Sequence, residues 1–337
     1  MTNSGVNSLI RDGRFPCTCH TPELVETHIS WVLICEEFVF KLKKPISYSF
    51  IDFSTIEKRL YFCNREIQLN QRLTSNMYLA VLPLKQTSKG LAIGEFDGEI
   101  IDFVIQMRRQ DRKKQMDVLL QEGKVTQQDM HKLAEVISNF HKQTSIVKDT
   151  NPLGVQQKFN DLYGELEYLR ETLGDYYADL INRGIEKSNL FIDKNKDLLQ
   201  SRLVNGFFRD GHGDLHSRNI FLLPEPVIFD CIEFNDEYRQ IDVLNEVAFL
   251  CMDLDAIARG DLSDVLITYY NKLFPSMETE AERGLFIYYK GYRANVRAKV
   301  NSLRARSTQD DGHRSKALNE VKKYLLLMHS YFGSSLK

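Results

Sequence analysis

The 337-residue sequence has no apolar run approaching the ~20 residues of a bilayer-spanning helix, and its start, MTNSGVNSLIRDG, lacks the apolar core of a secretory signal. Those two absences predict a cytoplasmic protein without a membrane partner. Neither sign of charge is in excess: 44 Lys and Arg stand against 46 Asp and Glu, for a formal net charge of −2, so nothing calls for nucleic acid. Cysteine is sparse. Six residues do not make a disulfide scaffold in a chain of this length, and Cys35, Cys63, Cys231 and Cys251 lie in apolar stretches, where they are expected to be small buried thiols of a reducing compartment. Cys17, Cys19 and His20 form CTCH, which lacks a second ligand pair at zinc spacing and reads as an unpaired loop. There is no internal repeat, no low-complexity tract and no GxxxxGK[ST]. The length fits about two domains, or one bilobal domain, with ample chain for a core.

What is present concentrates in residues 208–234, FRDGHGDLHSRNIFLLPEPVIFDCIEF. Phe221, Leu222 and Leu223 form one short apolar run and Val227, Ile228 and Phe229 another, with Pro224 and Pro226 between them, the pattern of a tight β-hairpin. Such a hairpin brings Asn219, before its first strand, close to Asp230, at the end of its second. An amide oxygen and a carboxylate then converge, and hard oxygen ligands with open positions suit Mg²⁺ carrying phosphates. Asp214, on the preceding loop, is placed to accept a hydroxyl proton. A catalytic-loop Asp, an Asn five residues on and a second Asp after a hairpin is the layout of phosphoryl-transferring kinases.

HGDLHSRN followed by IFD resembles the aminoglycoside phosphotransferase-like branch of the protein-kinase-like superfamily, whose loop reads HGDxHxxN. The resemblance implies Asp214 as catalytic base, Asn219 and Asp230 as Mg²⁺ ligands, and His212 and His216 as shapers of the loop. Asp242, in RQIDVLNE, resembles the family's Asp that braces the catalytic loop. Through ETHISWVL, FKLKKP, FIDFSTIEKR and YRANVRAKV the chain is similar to a kinase-like group often followed by a P-loop ATPase domain, a domain expected to be missing here. The similarity runs from Glu26 to Arg306.

The implied fold is α+β and bilobal: a flexible arm over 1–25, a small nucleotide-binding lobe over 26–107 with a five-stranded antiparallel sheet and one helix, and a large, mainly helical lobe over 108–337. THISWVLIC and FVFKLKKP read as an antiparallel hairpin. On its second strand Lys41 and Lys43 share a face and Lys44 points away. Lys41 matches the kinase V-x-K lysine that holds ATP phosphates, with Lys43 in reserve. Ser54 or Thr55 caps the next helix, where Glu66, mid-helix among apolar neighbours, is the expected partner of that lysine. MYLAVLPLKQ and EIIDFVIQMRR are two further strands around the polar turn SKGLAIGEFDG, and the second leads into Met107 and Arg108, whose backbone is expected at the adenine edge.

From Arg112 the chain is largely helical. Thr126 caps a helix with Met130, Leu133, Ile137 and Phe140 at core spacing, on which His131 and His141, lacking a third ligand, read as surface or satisfied core histidines. Two amphipathic segments follow, from Gln156 to Arg183 and from Lys187 to Leu203, and a terminal helix closes the chain over 321–337. A long helix bearing Arg293, Arg297, Lys299, Arg304 and Arg306 has two readings: a face that holds an anionic substrate, or the solvated side of a helix packed through Leu285, Ile287, Tyr288, Tyr292 and Val296.

Two departures from protein kinases narrow the resemblance. The phosphate-covering turn, Glu26 to Ser30, has no glycine, leaving backbone amides and the hydroxyls of Thr27 and Ser30 to approach a phosphate. DFG is replaced by DCI, so no activation loop of protein-kinase type is expected. The function implied is transfer of the γ-phosphoryl group of ATP, with GTP not excluded, to a hydroxyl of a small molecule; a kinase acting on protein side chains and a catalytically silent nucleotide-binding module are the alternatives.

Overall fold

Along Phe38–Lys43 (β3) the side chains alternate between two faces, with Phe40 and Leu42 in an apolar cluster and Lys41 and Lys43 on the other side. The computed structural model describes residues 1–48 and 51–334, which form two compact units: 1–123 with 218–238, and 124–217 with 239–337. Phe50 of the FIDF motif and the last three residues of the expected terminal helix lie outside the described residues.

The first unit is built on an antiparallel sheet. In chain order its elements are α1 (Asn3–Asp12), β1 (Glu23–Glu26), β2 (Ser30–Ile34), β3, the short hairpin β4 (Ser47–Tyr48) and β5 (Ile51–Asp52), α2 (Ile56–Asn70), β6 (Tyr78–Thr87), β7 (Gly90–Ile93), β8 (Glu99–Arg108) and α3 (Met116–Gln121). The sheet order is β1-β2-β3-β8-β6-β7, six strands where five were expected. Two of the six, β1 and β7, lie outside the four stretches read as strands: all four residues of β1 are exposed, and β7 lies within the segment that read as a polar turn. The segment expected as an arm carries α1, capped by Thr2, whose Val6 and Leu9 pack against Trp31, Leu33, Phe40 and Leu42. On the opposite side α2 starts at its cap Thr55 and presents Cys63 and Glu66 to the interior.

Cysteine pairing also differs from expectation. β1 runs antiparallel to β2 with Glu23 opposite Ile34, which brings the residues before β1 alongside those after β2. Cys19 and Cys35 form a disulfide there with their Cα atoms 5.0 Å apart, while Cys17, Cys63, Cys231 and Cys251 are not in disulfides.

The second unit is mainly helical. The Thr126 side chain and Asp129 form a capping box at the start of α4 (Gln127–Gln143), which buries Met130, Leu133, Ile137 and Phe140. The two long amphipathic segments are divided into α5 (Gly154–Asn160), α6 (Leu166–Leu173), α7 (Asp175–Lys194) and α8 (Lys196–Val204). Gly174, at φ 92, ends α6 and opens α7, a left-handed conformation that only glycine adopts at little cost. After β9 (Phe208–Asp210) the chain returns to the first unit for β10 (Ile220–Phe221) and β11 (Val227–Ile228). β12 (Gln240–Asp242) then pairs with β9, and α9 (Val243–Asp255), α10 (Gly260–Leu273), α11 (Glu280–Ser307) and α12 (Asp311–Ser334) follow. Among the described residues no helix is long and apolar enough to cross a membrane.

Candidate active site

In the first unit the expected hairpin forms. Ile220 pairs with Ile228 and Phe221 with Val227, and Phe229 donates its N–H to the Asn219 carbonyl at 2.9 Å. Asn219 and Asp230 therefore stand at the same end of the ribbon. Phe221 seats the hairpin against Cys63, Tyr78, Ile105 and Met107. The Asp230 N–H is directed at the Tyr78 hydroxyl at 3.2 Å, and Asp230 has φ 63, an unusual backbone state for a residue with a side chain.

Five charges from β3, α2 and the segment after β11 form a chain. The Lys41 ammonium donates to Asp230 Oδ1 at 2.6 Å and to Glu66 Oε1 at 2.7 Å. Lys43 takes the other Glu66 oxygen at 2.6 Å and also binds Glu233. The order is thus Asp230, Lys41, Glu66, Lys43, Glu233. Burial alone would lower the Lys41 pKa, but Asp230 and Glu66 outweigh it and hold the ammonium well above its ordinary range. Burial likewise opposes ionisation of Glu66, yet two lysines bring its carboxyl down to about 2. Three carboxylates share two ammonium groups, and the deficit falls on Glu233: burial lifts its carboxyl against the pull of Lys43, the cation that bonds it among the described residues' side-chain contacts. At the other end the Asp230 side chain is 43% exposed, open to a ligand.

Asn219 and Asp230 flank one end of this ribbon, and an amide oxygen and a carboxylate are donor types that a hard cation takes together with water and phosphate oxygens. No cluster of three or more His, Cys, Asp or Glu among the described residues makes a separate all-protein metal site.

Other expected nucleotide contacts are engaged elsewhere or buried. The Thr27 hydroxyl donates to the Ser30 carbonyl and accepts from the Ser30 N–H at 2.9 Å, closing its own turn, and Ser30 is fully buried. β8 is flanked by β3 and β6 through Met107, and the Arg108 N–H donates to the Met77 carbonyl at 2.7 Å. The backbone of Met107 and Arg108 therefore serves the sheet, and we assign it no nucleotide contact. Lys44 points away as expected, to Glu26 and the Thr27 carbonyl.

The second unit holds the HGDLHS loop. Its backbone is fixed from α9: the Glu246 carboxylate accepts from the N–H groups of His212, at 2.8 Å, and Gly213, at 3.1 Å, and binds His141 Nε2 at 3.1 Å. Burial would raise the Glu246 carboxyl, but His141, His212 and the Gly213 N–H bring it down to about 2. A Cβ at Gly211 would lie 2.0 Å from Glu246 Oε2, so this residue must be glycine for the carboxylate to reach the loop. Two helical turns further, Asp253 accepts from the Ser217 N–H and hydroxyl. From α11, Arg293 donates to the Gly213 carbonyl at 3.2 Å and to Asn245 Oδ1 at 2.7 Å.

The histidines flank the Asp214 side chain and backbone. His212 Nδ1 accepts the Asp214 N–H at 3.2 Å, and His216 Nε2 lies 3.3 Å from Asp214 Oδ2. Partial burial would push the Asp214 carboxyl up; His216, Arg297 and His212 overcome it and hold the group well below the usual carboxylate range. Asp242 caps α9 through the Leu244 N–H and pairs with the buried Arg202 at 2.5 and 2.8 Å. The bracing of the loop backbone comes from Glu246, four residues on. His141, bonded to Tyr270 and Glu246, is a satisfied core histidine.

No known family profile matches the sequence. Proteins named only as uncharacterized in Mycobacterium bovis and Mycobacterium tuberculosis are each 33% identical over 284 residues, or 83% of this chain, and the chain spans about half, 54%, of their length. Among solved structures, choline kinase from Cryptosporidium parvum matches with a TM-score of 0.55 at 10% identity, over 94% of this chain and 90% of its own. The GDP and kanamycin complex of APH(2")-IIia gives 0.51 at 13% identity, over 96% and 98%. This chain has the protein-kinase-like fold. A Plasmodium vivax ethanolamine kinase shares that kinase-like fold at a TM-score of 0.50 and 10% identity, over 92% of this chain and 83% of its own.

Proposed function

We propose that the protein is a Mg²⁺-dependent phosphotransferase that moves the γ-phosphoryl group of ATP or GTP to a hydroxyl of a small molecule. The observation that carries this reading is the Lys41 ammonium held between Glu66 and Asp230, a cation placed beside a metal-type carboxylate on a hairpin that also presents Asn219. The kinase-like fold shared with choline and ethanolamine kinases and with an aminoglycoside-bound enzyme supports a small acceptor.

In this reading Lys41 binds nucleotide phosphates, and Glu66 and Lys43 keep it in place. Asn219 and Asp230 would hold Mg²⁺, which would supply charge neutralisation on the phosphates. Asp214 accepts a hydrogen bond from the acceptor hydroxyl. The acceptor oxygen forms a bond to the γ-phosphorus, the bond from that phosphorus to the β,γ-bridging oxygen breaks, the nucleoside diphosphate leaves, and the hydroxyl proton passes to Asp214. A carboxylate held below the ordinary value of about 3.9 does not deprotonate an alcohol in advance, so Asp214 orients the nucleophile and takes the proton late.

A metabolite panel assayed with Mg²⁺ and labelled ATP or GTP tests the proposal. Label transferred to a small molecule by the wild type and not by Asp214→Ala is the expected result. Label on protein, or no nucleotide turnover with any acceptor or water, would overturn it.

A further inference from the structure

Helix α11 carries four buried or half-buried cations along the face and flanks that meet the rest of the second unit, and three have evident partners. Lys290 pairs with Asp255, Arg293 bonds Asn245 and the Gly213 carbonyl, and Lys299 pairs with Asp161. Arg297 is different. Its guanidinium lies 5.5 Å from the Tyr324 ring centroid, but among the described residues no carboxylate takes a bond from it, and its Nε is a buried atom with no partner.

Position gives this donor meaning. Arg293 and Arg297 are four residues apart and share a helix face. Because Arg293 reaches the Gly213 carbonyl, Arg297 is presented one turn along from the peptide preceding Asp214. The nearby carboxylates are already engaged, Glu246 by the loop N–H groups and His141, Asp253 by Ser217. Arg297 influences the ionisation of both Asp214 and Asp253, which places its charge near the carboxylate proposed to receive the acceptor hydroxyl. A cation bonded to no carboxylate among the described residues, set near Asp214, repels an ammonium-bearing acceptor and matches a carboxylate or phosphate ester.

We propose that Arg297 binds an anionic group of the acceptor, so that the substrate class is hydroxy acids or hydroxylated phosphate esters rather than aminoalcohols or aminoglycosides. This rests on the phosphotransferase reading and on Asp214 facing the acceptor. Arg297 then sets specificity by holding the acceptor's charge while Asp214 holds its hydroxyl.

The test is calorimetric titration of the full chain with saturating MgADP present, using glycerol, D-glycerate, glycerol 3-phosphate and choline as probes. At least one of the two anions is expected to bind about tenfold or more tightly than glycerol, the scale of one charge-assisted hydrogen bond. D-Glycerate against glycerol 3-phosphate tells carboxylate from phosphate recognition. Arg297→Gln should remove the preference, Arg297→Lys should keep part of it, and Arg304→Gln, at an exposed position of the same helix, should leave it unchanged. Glycerol or choline binding as tightly as the anions in wild type overturns the inference without needing any variant to fold. So does an anion preference that survives Arg297→Gln, or a loss that falls on MgADP affinity instead. Failure of the wild type to bind MgADP at all would sink the phosphotransferase reading, a separate outcome.

Discussion

Lys41 and Lys43, two residues apart on β3, bind opposite oxygens of Glu66 at 2.7 and 2.6 Å. Strand periodicity puts both ammonium groups on one face, and the helix α2 brings a single carboxylate to meet them. Their other partners separate them. Lys41 continues to the half-open Asp230, and Lys43 to the buried Glu233.

This asymmetry predicts different phenotypes. Lys41→Met should abolish phosphoryl transfer by removing the cation beside Asp230. Lys43→Met should chiefly unfold the protein, because removing one partner of a buried pair costs about 3–5 kcal/mol. Urea unfolding set beside turnover checks this. A stable Lys43→Met protein without turnover, together with an active Lys41→Met protein, would exchange the two roles.

Asp214→Asn should lower single-turnover phosphoryl transfer by roughly 10²–10⁴, the range of acid–base contributions, with MgATP affinity retained. Its pH dependence is also constrained. The carboxyl lies below its ordinary value, so it remains ionised at all pH above about 5 and produces no acid limb there. A kcat/KM limb near pH 6 that disappears in Asp214→Asn would contradict the assignment.

Glu246 links the loop to acid stability. Its carboxyl is near 2 in the folded chain against an ordinary 4.5, so the stabilisation is fully present above the higher value and is lost as pH falls through the lower. The shift corresponds to about 3 kcal/mol at neutral pH. Glu246→Gln should be less stable than wild type at pH 7, with the two unfolding curves converging toward pH 2. A gap independent of pH would show that the charge on Glu246 contributes nothing.

The Cys19–Cys35 bridge closes a span of 16 residues across the edge of the sheet. Loop-closure entropy assigns it about 3 kcal/mol, so reduction, or Cys19→Ser, should lower the denaturation midpoint of the first unit. Identical midpoints with and without reductant would remove the bridge from the account.

Much of this was legible where local chemistry and periodicity agree. The β10–β11 hairpin and the Thr126 cap follow from residues a few positions apart, while the choice of Glu66 combined its place mid-helix with the kinase resemblance. The kinase-like fold followed from HGDLHSRN and IFD together. What escaped notice depends on distant partners. β1 has no buried face to create alternation, and α1 buries just Val6 and Leu9, with the half-buried Ile10 beside them, among polar neighbours. The pairing of Cys19 with Cys35 is a matter of sheet register. Glu246 did leave a trace: it is a carboxylate within Val243–Leu254, a stretch buried throughout, where a charge without a task is costly. Asp242, the more conspicuous acid beside it, drew the loop-bracing assignment, but its neighbour is the buried Arg202. Glu233 and Arg293 acquired their roles only through residues 190 and 80 positions away.

The left-handed backbone of Asp230, at φ 63, has an evolutionary consequence. Such a conformation costs of the order of 1 kcal/mol for a residue with a Cβ and almost nothing for glycine. Under selection for heat resistance alone, the codon is expected to drift to glycine, trading the carboxylate proposed to hold the metal for a relaxed turn. Retention of aspartate there under combined selection would measure how strongly catalysis opposes robustness.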